Sequence, residues 1–187
     1  MTANVRQRHQ WERAAVSQLR DGGVDRAIEA YRQRGRVHVG QSRADTMARA
    51  VADWYRQVTV SGDLTSGLLI GTTTYELNQR ARSHLAAARR LHGPALETRE
   101  RTFQAGDRIL CRKNQSRLGV LNGDLATTDS IDQEAKSLTI RLDRDPETSK
   151  LPACYFEQGA VDYGYALTGH KAQGVTTDRT FVVVDGN

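Results

Sequence analysis

The densest run of chemically capable side chains lies near the C-terminal end: Tyr165-Ala166-Leu167-Thr168-Gly169-His170-Lys171-Ala172-Gln173-Gly174-Val175-Thr176. Hydroxyl, imidazole, ammonium and amide groups follow directly on an apolar stretch. Thr168, His170 and the backbone amides around them are donors suited to phosphate oxygens. Lys171 adds positive charge, and Gln173 offers both a donor and an acceptor. A buried strand ending in a Gly-bounded polar turn is where α/β sheets place ligand contacts; such turns also occur with no ligand at all. Several alternatives fail on detail. Gly164 to Lys171 nearly spells a phosphate-binding loop, but His170 stands where the lysine that reaches the distal phosphates must be. Asp143-Arg144-Asp145-Pro146 lacks the mid-loop glycine of a calcium loop. The five histidines show no metal-ligand spacing with a cysteine or carboxylate cluster. No Gly-x-Ser-x-Gly elbow occurs.

The elements that must hold this run can be read from periodicity. Trp11, Ala15 and Leu19 recur every four residues; Val24, Ala27, Ile28 and Tyr31 follow helical spacing, as do Met47, Val51, Trp54 and Val58. Gly22-Gly23 ends the first helix and Gly35 the second, and Asp45 or Ser42 caps the third. On these faces Trp11 and Trp54 read as core residues more readily than as base-stacking ones. The period then changes. Gly67-Leu68-Leu69-Ile70-Gly71 is a continuous apolar run typical of a buried strand, followed by Thr72, Thr73 and Thr74 and a helical stretch with Leu77, Ala81, Leu85 and Ala88 in register. Strand, polar turn, helix is the unit of a parallel α/β sheet. The three threonines are either a plain N-cap or a place where free amides and hydroxyls take a phosphate.

From about Thr102 short apolar runs alternate with turn signals, among them Ala105-Gly106-Asp107, Asn122-Gly123-Asp124 and Asp143 to Pro146. Asn-Gly between apolar runs predicts a hairpin. Residues 101–158 thus read as a small all-β module of about five strands, barrel-like or SH3-like. Its basic residues Arg108, Arg112, Lys113 and Arg117 either touch a polyanion or solvate the surface, the second being the usual fate of charged faces. Beyond it Tyr163 to Leu167 and Thr180 to Val184 read as two further buried strands, so the α/β part resumes and the β module is an insertion.

Composition bounds the function. The 187 residues carry a net charge of +5, and 23 of the 27 basic residues are arginine. Guanidinium groups suit phosphate oxygens, so a polyanion is the first partner to consider. No 18-residue apolar run marks a membrane span, and the polar N-terminal stretch is no secretory signal. Two cysteines, Cys111 and Cys154, make neither a disulfide framework nor a metal site, which fits a reducing, cytoplasmic location.

Four segments in order carry a resemblance. Tyr165 to Thr176 resembles motif V of superfamily 1 DNA helicases, in the branch with RecD-like exonuclease subunits and conjugative relaxase-helicases of the TraA/TraI type. Asn4-Val5-Arg6-Gln7-Arg8 with Trp11-Glu12-Arg13 looks like motif IV of that family. Leu69 to Thr74 with Leu77-Asn78 and Ala81-Arg82 looks like the strand–helix step of the second motor domain. Gly106 to Leu110 with Asn114 and Asn122-Gly123-Asp124 is similar to the SH3-like insertion. The resemblance implies a partial RecA-like second motor lobe over residues 1–100 and 159–187, interrupted by an SH3-like module at 101–158. It implies that Arg6 approaches the γ-phosphate of ATP, with Gln7 beside it. It further implies that Thr72, Thr73, Thr74, Thr168, His170 and Lys171 hold single-stranded DNA, and that Gln173 and Gly174 link that grip to the nucleotide cleft. Arg6 is equally read as a solvated arginine near the terminus. The phosphate loop, the magnesium-binding acidic motif and the later arginine motif of the family are missing, so the expectation is a piece of a helicase cut at both ends. ATP and Mg²⁺ then require a first motor lobe as partner, and the chain alone is expected to be inactive. A standalone module that binds nucleic acid or a protein partner through the β part is the rival reading.

Overall fold

The computed structural model describes Gln7, residues 9–145 and residues 147–184. The elements in chain order are α1 (Gln10–Arg20), α2 (Val24–Arg32), α3 (Arg43–Ser61), β1 (Gly67–Ile70), α4 (Thr74–Ala87), β2 (His92–Glu97), β3 (Thr102–Ala105), β4 (Arg108–Cys111), β5 (Leu125–Asp132), β6 (Ser137–Leu142), β7 (Thr148–Pro152), α5 (Ala153–Phe156), β8 (Val161–Tyr163), β9 (Ala166–Leu167) and β10 (Arg179–Val182). The chain forms two compact units, residues 1–46 and 47–187.

In the first unit α1 and α2 are helices where periodicity places them, and Gly22 between them takes a left-handed φ of 81°. Ala15 and Ala27 are buried, but Leu19, Val24 and Ile28 are more than two-fifths exposed. Trp11 is half-buried rather than a core residue. Its ring meets Tyr31 edge-on at 5.2 Å, and the Arg34 guanidinium lies 4.4 Å from its centroid. Two short helices leave one side of the indole uncovered, and a cation takes it. Ser42 and Asp45 both cap the start of α3: the Ser42 Oγ accepts the Asp45 N–H, and the Asp45 carboxylate accepts the Gln41 N–H.

The second unit holds two sheets. β10, β1 and β9 form a parallel sheet in that order, and β7-β6-β5-β4-β8 form an antiparallel one; β2 and β3 pair as a hairpin. The stripe predicted on α3 is real: Met47, Val51, Trp54 and Val58 are each at most 2% exposed. The stripe covers one face of the parallel sheet, where the Trp54 indole N–H donates to the Gly67 carbonyl. The Gly67 backbone lies so close to Trp54 and Val58 that a β-carbon would come within 3.1 Å of either side chain. On the other face Leu68 and Leu167 pack with Leu110 and Leu125 of the antiparallel sheet, and Ile70, Ala172 and Val175 lie against them.

Two expectations change here. Tyr163 to Leu167 is not one strand. β8 joins the antiparallel sheet beside β4, β9 joins the parallel sheet beside β1, and the chain changes sheets at Gly164. The cause is packing: a β-carbon at 164 would sit 2.7 Å from the Ile109 carbonyl oxygen, closer than any side chain tolerates. Nor does Asn122-Gly123 join two paired strands directly. β4 and β5 pair across a longer connection containing a 3₁₀ turn at Ser116–Leu118. The Asn-Gly turn is held inside it by Asn114 Oδ1, which accepts the Asn122 N–H, and by Asp124 Oδ2, which accepts the Leu121 N–H. Side-chain acceptors have replaced the short hairpin ladder.

Candidate functional site

β1 and β9 are parallel neighbours with Ile70 opposite Leu167, and both therefore end at the same edge of the sheet. The Gly71 N–H donates to the Leu167 carbonyl at 3.1 Å, and the Val183 N–H donates to the Ile70 carbonyl at 2.7 Å. That register brings Thr72-Thr73-Thr74, behind β1, to the same side as Thr168-Gly169-His170-Lys171, behind β9. Two candidate clusters almost a hundred positions apart in sequence thus share one edge, the edge at which parallel sheets present ligands.

At the first cluster Thr72 is exposed and Thr73 and Thr74 are half-buried. Thr73 occupies the N-cap position but makes no side-chain capping bond; its hydroxyl instead donates to the Met47 sulfur at 3.8 Å. Its carbonyl accepts the Leu77 N–H. The amides of the first turn of α4 therefore point past a cap whose side chain has turned away. Thr73 therefore does not act as a side-chain cap.

At the second cluster the backbone winds into a tight turn. Thr168 Oγ1 accepts the Lys171 N–H at 3.3 Å, the Thr168 carbonyl accepts the Ala172 N–H at 3.0 Å, and the His170 carbonyl accepts the Gln173 N–H at 3.3 Å. Ala172 and Val175 anchor the turn from below, while His170, Lys171 and Gln173 are exposed. Gly174 takes a φ of 89°, a conformation in which any β-carbon is strained. The segment then returns along the sheet, where the Thr177 hydroxyl donates to the Thr65 carbonyl.

Both clusters are fixed by buried polar groups whose roles the sequence did not announce. Asn78, on α4 and 5% exposed, accepts the N–H groups of Tyr165 and Ala166 through Oδ1 and donates to the Ala166 carbonyl through Nδ2. It ties the helix behind the threonines to the strand before Thr168. Asp107, fully buried, accepts from the Tyr165 hydroxyl at 2.6 Å, from the Arg82 guanidinium at 2.9 Å and from the Gln104 N–H at 2.7 Å. Burial raises the Asp107 carboxyl above its ordinary range against the pull of Tyr165 and Arg82, and burial beside that carboxylate holds the Tyr165 phenol well above its own. The available signal was a polar residue interrupting an apolar stripe: Asn78 lies beside Leu77 and in register with Ala81 and Leu85.

The remaining candidates scatter. Arg6 lies outside the described residues. Gln7 belongs to the first unit, where its Oε1 is buried without a hydrogen-bond partner among the described residues. Gln173 and Gly174 belong to the second unit. Arg108 neither faces a ligand nor solvates the surface: it is 4% exposed and makes a two-pronged ion pair with Asp143. Lys113 donates to the Gln158 carbonyl, and Arg112 sits 3.8 Å from Asp162. Arg117 is exposed.

The fold has a solved counterpart. The chain superposes over 99% of its length on 45% of a Pif1 helicase from Bacteroides, solved in complex with ADP-AlF3 and ssDNA, with a TM-score of 0.60 at 15% identity. An AAA domain family model matches residues 1–42. With the sequence relatives these likenesses support the resemblance to a superfamily 1 helicase-type region. Those relatives are conjugal transfer proteins TraA. The chain is 32% identical to the one from Agrobacterium fabrum (strain C58) and 31% identical to the one from Rhizobium radiobacter, in each case over 95% of the chain. It spans 16% of the length of each.

Proposed function

We propose that this chain is the second motor lobe of a conjugative, RecD-like DNA helicase, and that the shared edge behind β1 and β9 grips single-stranded DNA. One observation carries the reading: the parallel register of β1 with β9 sets Thr72–Thr74 beside Thr168–Lys171, with the imidazole and ammonium of His170 and Lys171 exposed. Hydroxyls, backbone amides and one cation on a rigid edge suit a sugar-phosphate chain read without regard to sequence. The Pif1 structure sharing the fold holds ssDNA and ADP-AlF3. On this reading residues 101–158 are an SH3-like insertion in a RecA-like lobe made of 1–100 and 159–187. Arg6, Gln7, Gln173 and Gly174 are, as the resemblance implies, the candidates for contacting ATP·Mg²⁺, whose phosphate loop belongs to a first motor lobe. Arg6 supplies positive charge to the transferring phosphoryl group. The site of action is the cytoplasm; no helix among the described residues is long and apolar enough to cross a membrane.

The test is fluorescence anisotropy of a labelled oligothymidylate with the 187-residue chain at several salt concentrations. Binding should weaken as salt rises. Replacing Thr168, His170 and Lys171 together by alanine should weaken it by about tenfold, on the order of 1.4 kcal/mol for a few charge-assisted contacts. If Arg112→Glu and Arg117→Glu abolish binding while the triple variant keeps it, the β module is the working surface and the rival reading, a standalone binding module, holds. ATP turnover by the chain alone at helicase rates would contradict the shared-cleft reading.

A further inference from the structure

Beside the first turn of α4 the structure carries a second polar feature that the sequence did not signal. Tyr75, Gln79 and Arg82 stand at i, i+4 and i+7, one stripe of α4. The β2–β3 hairpin lays its tip, Thr98 to Arg101, against that stripe. Between them is an open cavity of about 310 Å³ bounded by Gln79, Arg82, Thr98, Arg101, Thr102 and Tyr163. That volume is at the lower end of small-ligand pockets, which run from roughly 300 to 1,000 Å³. Tyr75 does not line the cavity but touches two residues that do: it is 61% exposed, and the Gln79 amide donates to its hydroxyl at 3.3 Å. The Arg101 guanidinium lies 5.0 Å from the Tyr75 centroid, and Arg101 is itself held by Asp162 at 2.9 Å. The ring is therefore exposed and yet fixed, covered on one side by a cation that cannot swing away.

The charges decide what such a pocket takes. Arg82 is paired with Asp107, and Arg101 with Asp162, which Arg112 also approaches at 3.8 Å; the lining adds one charge of each sign, Arg99 and Glu100. The cavity is polar and close to electroneutral, a poor phosphate site. A rigid exposed aromatic ring beside amide and hydroxyl groups is a good site for a flat, polar, uncharged ring. A nucleobase stacks on such a platform whatever its identity.

We propose that Tyr75 and this cavity form a nucleobase subsite of the single-stranded DNA track. One base stacks on Tyr75 and presents its edge to Gln79, while its phosphate is held at Thr72–Thr74, next to Tyr75 in the chain. The proposal rests on the reading of the sheet edge as the DNA grip.

The probe is a set of oligothymidylates, each with one abasic position, titrated against the 187-residue chain and against Tyr75→Leu, Tyr75→Phe and the Thr168/His170/Lys171 alanine variant. With the native chain one abasic position should lower affinity about fivefold or more, as expected for one lost base–aromatic stack. Tyr75→Leu should lose a similar factor on the intact oligonucleotide and become indifferent to the abasic position. Tyr75→Phe should keep both. Tyr75 is exposed, so its replacement leaves the core untouched, and thermal melting verifies this. If Tyr75→Leu binds like the native chain while the triple alanine variant does not, the base subsite is refuted and the DNA grip stands. If the native chain binds no oligonucleotide, both fall.

Discussion

The antiparallel sheet carries many cations and the parallel-sheet edge carries Lys171, and the two regions hold them differently. In the antiparallel part four cations are answered by carboxylates of the same fold, Arg108 by Asp143, Arg141 by Asp129, Arg144 by Asp124 and Lys150 by Asp132, while Lys113 reaches the Gln158 carbonyl and Arg117 forms no ion pair among the described residues. At the edge behind β9 the exposed Lys171 has a backbone held by Thr168 and no ion pair is formed by its side chain among the described residues. Net charge therefore does not by itself locate a polyanion site; on the proposed reading the unpaired cation at the sheet edge does. The +5 of the chain is spread over both regions, and much of the positive charge of the antiparallel one is paired internally.

The largest expected effect breaks the joint between the two regions. Asp107→Ala would leave the Arg82 guanidinium and the Tyr165 hydroxyl buried without their acceptor. Losing one partner of a buried pair costs about 3–5 kcal/mol. Urea unfolding should show that loss. Arg141→Ala in the same sheet, where the pair is half-exposed, should shift stability by no more than about 0.5 kcal/mol. Equal effects for the two would deny Asp107 its role as the junction.

Next in size is an alkaline effect confined to the antiparallel part. Burial in this sheet pushes the Cys111 thiol up to about 11, outweighing the downward pull of the neighbouring Tyr155 hydroxyl, which itself donates to the Lys113 carbonyl. The folded chain keeps that proton between about pH 9 and 11, whereas the unfolded chain releases it. Stability is full below pH 9 and falls as pH rises through the window, by roughly 1.4 kcal/mol for each pH step of one crossed within it. Cys111→Ala should flatten that slope, measured by urea midpoints from pH 8 to 11. Cys154, exposed, should react with iodoacetamide at pH 8 while Cys111 does not.

How much of this was legible follows from the reach of each interaction. The α3 stripe, the apolar run of β1 and the polar turn behind it are local patterns, and each appears where periodicity puts it. The polar run at Thr168–Lys171 was visible for the same reason. What sequence could not show was pairing at a distance. Arg108 reads as a surface cation because its partner Asp143 lies 35 positions away. The sheet switch at Gly164 is invisible because Tyr163 to Leu167 is apolar throughout, and apolarity does not say which sheet a strand joins. Asn78 meets Tyr165 87 positions on, and the Tyr75–Arg101 platform depends on a hairpin tip folding back over α4. Leu19, Val24 and Ile28 fit a helical face, but periodicity does not guarantee that the face is covered.

The smallest effect sharpens the comparison most. Gly174 lies past the exposed His170 and Lys171, with a φ of 89° and open space where a β-carbon would be. Gly174→Ala therefore meets no neighbour and acts through backbone strain alone, about 1 kcal/mol for an L-residue forced left-handed. A frayed turn on a firm sheet relieves that strain locally. The urea midpoint should accordingly move little, while hydrogen exchange at the Ala172, Gln173 and Val175 amides should quicken severalfold as their turn bonds open more often. If the turn positions the grip, affinity for oligothymidylate should fall by a few-fold in the same variant. Gly123, also at positive φ with open space around it, lies in the antiparallel region among side chains that already have their partners. Gly123→Ala should bring a similar strain and leave DNA affinity unchanged. Equal losses of affinity from both would mean that the two regions share the work of binding, and the contrast drawn between their cations would not hold.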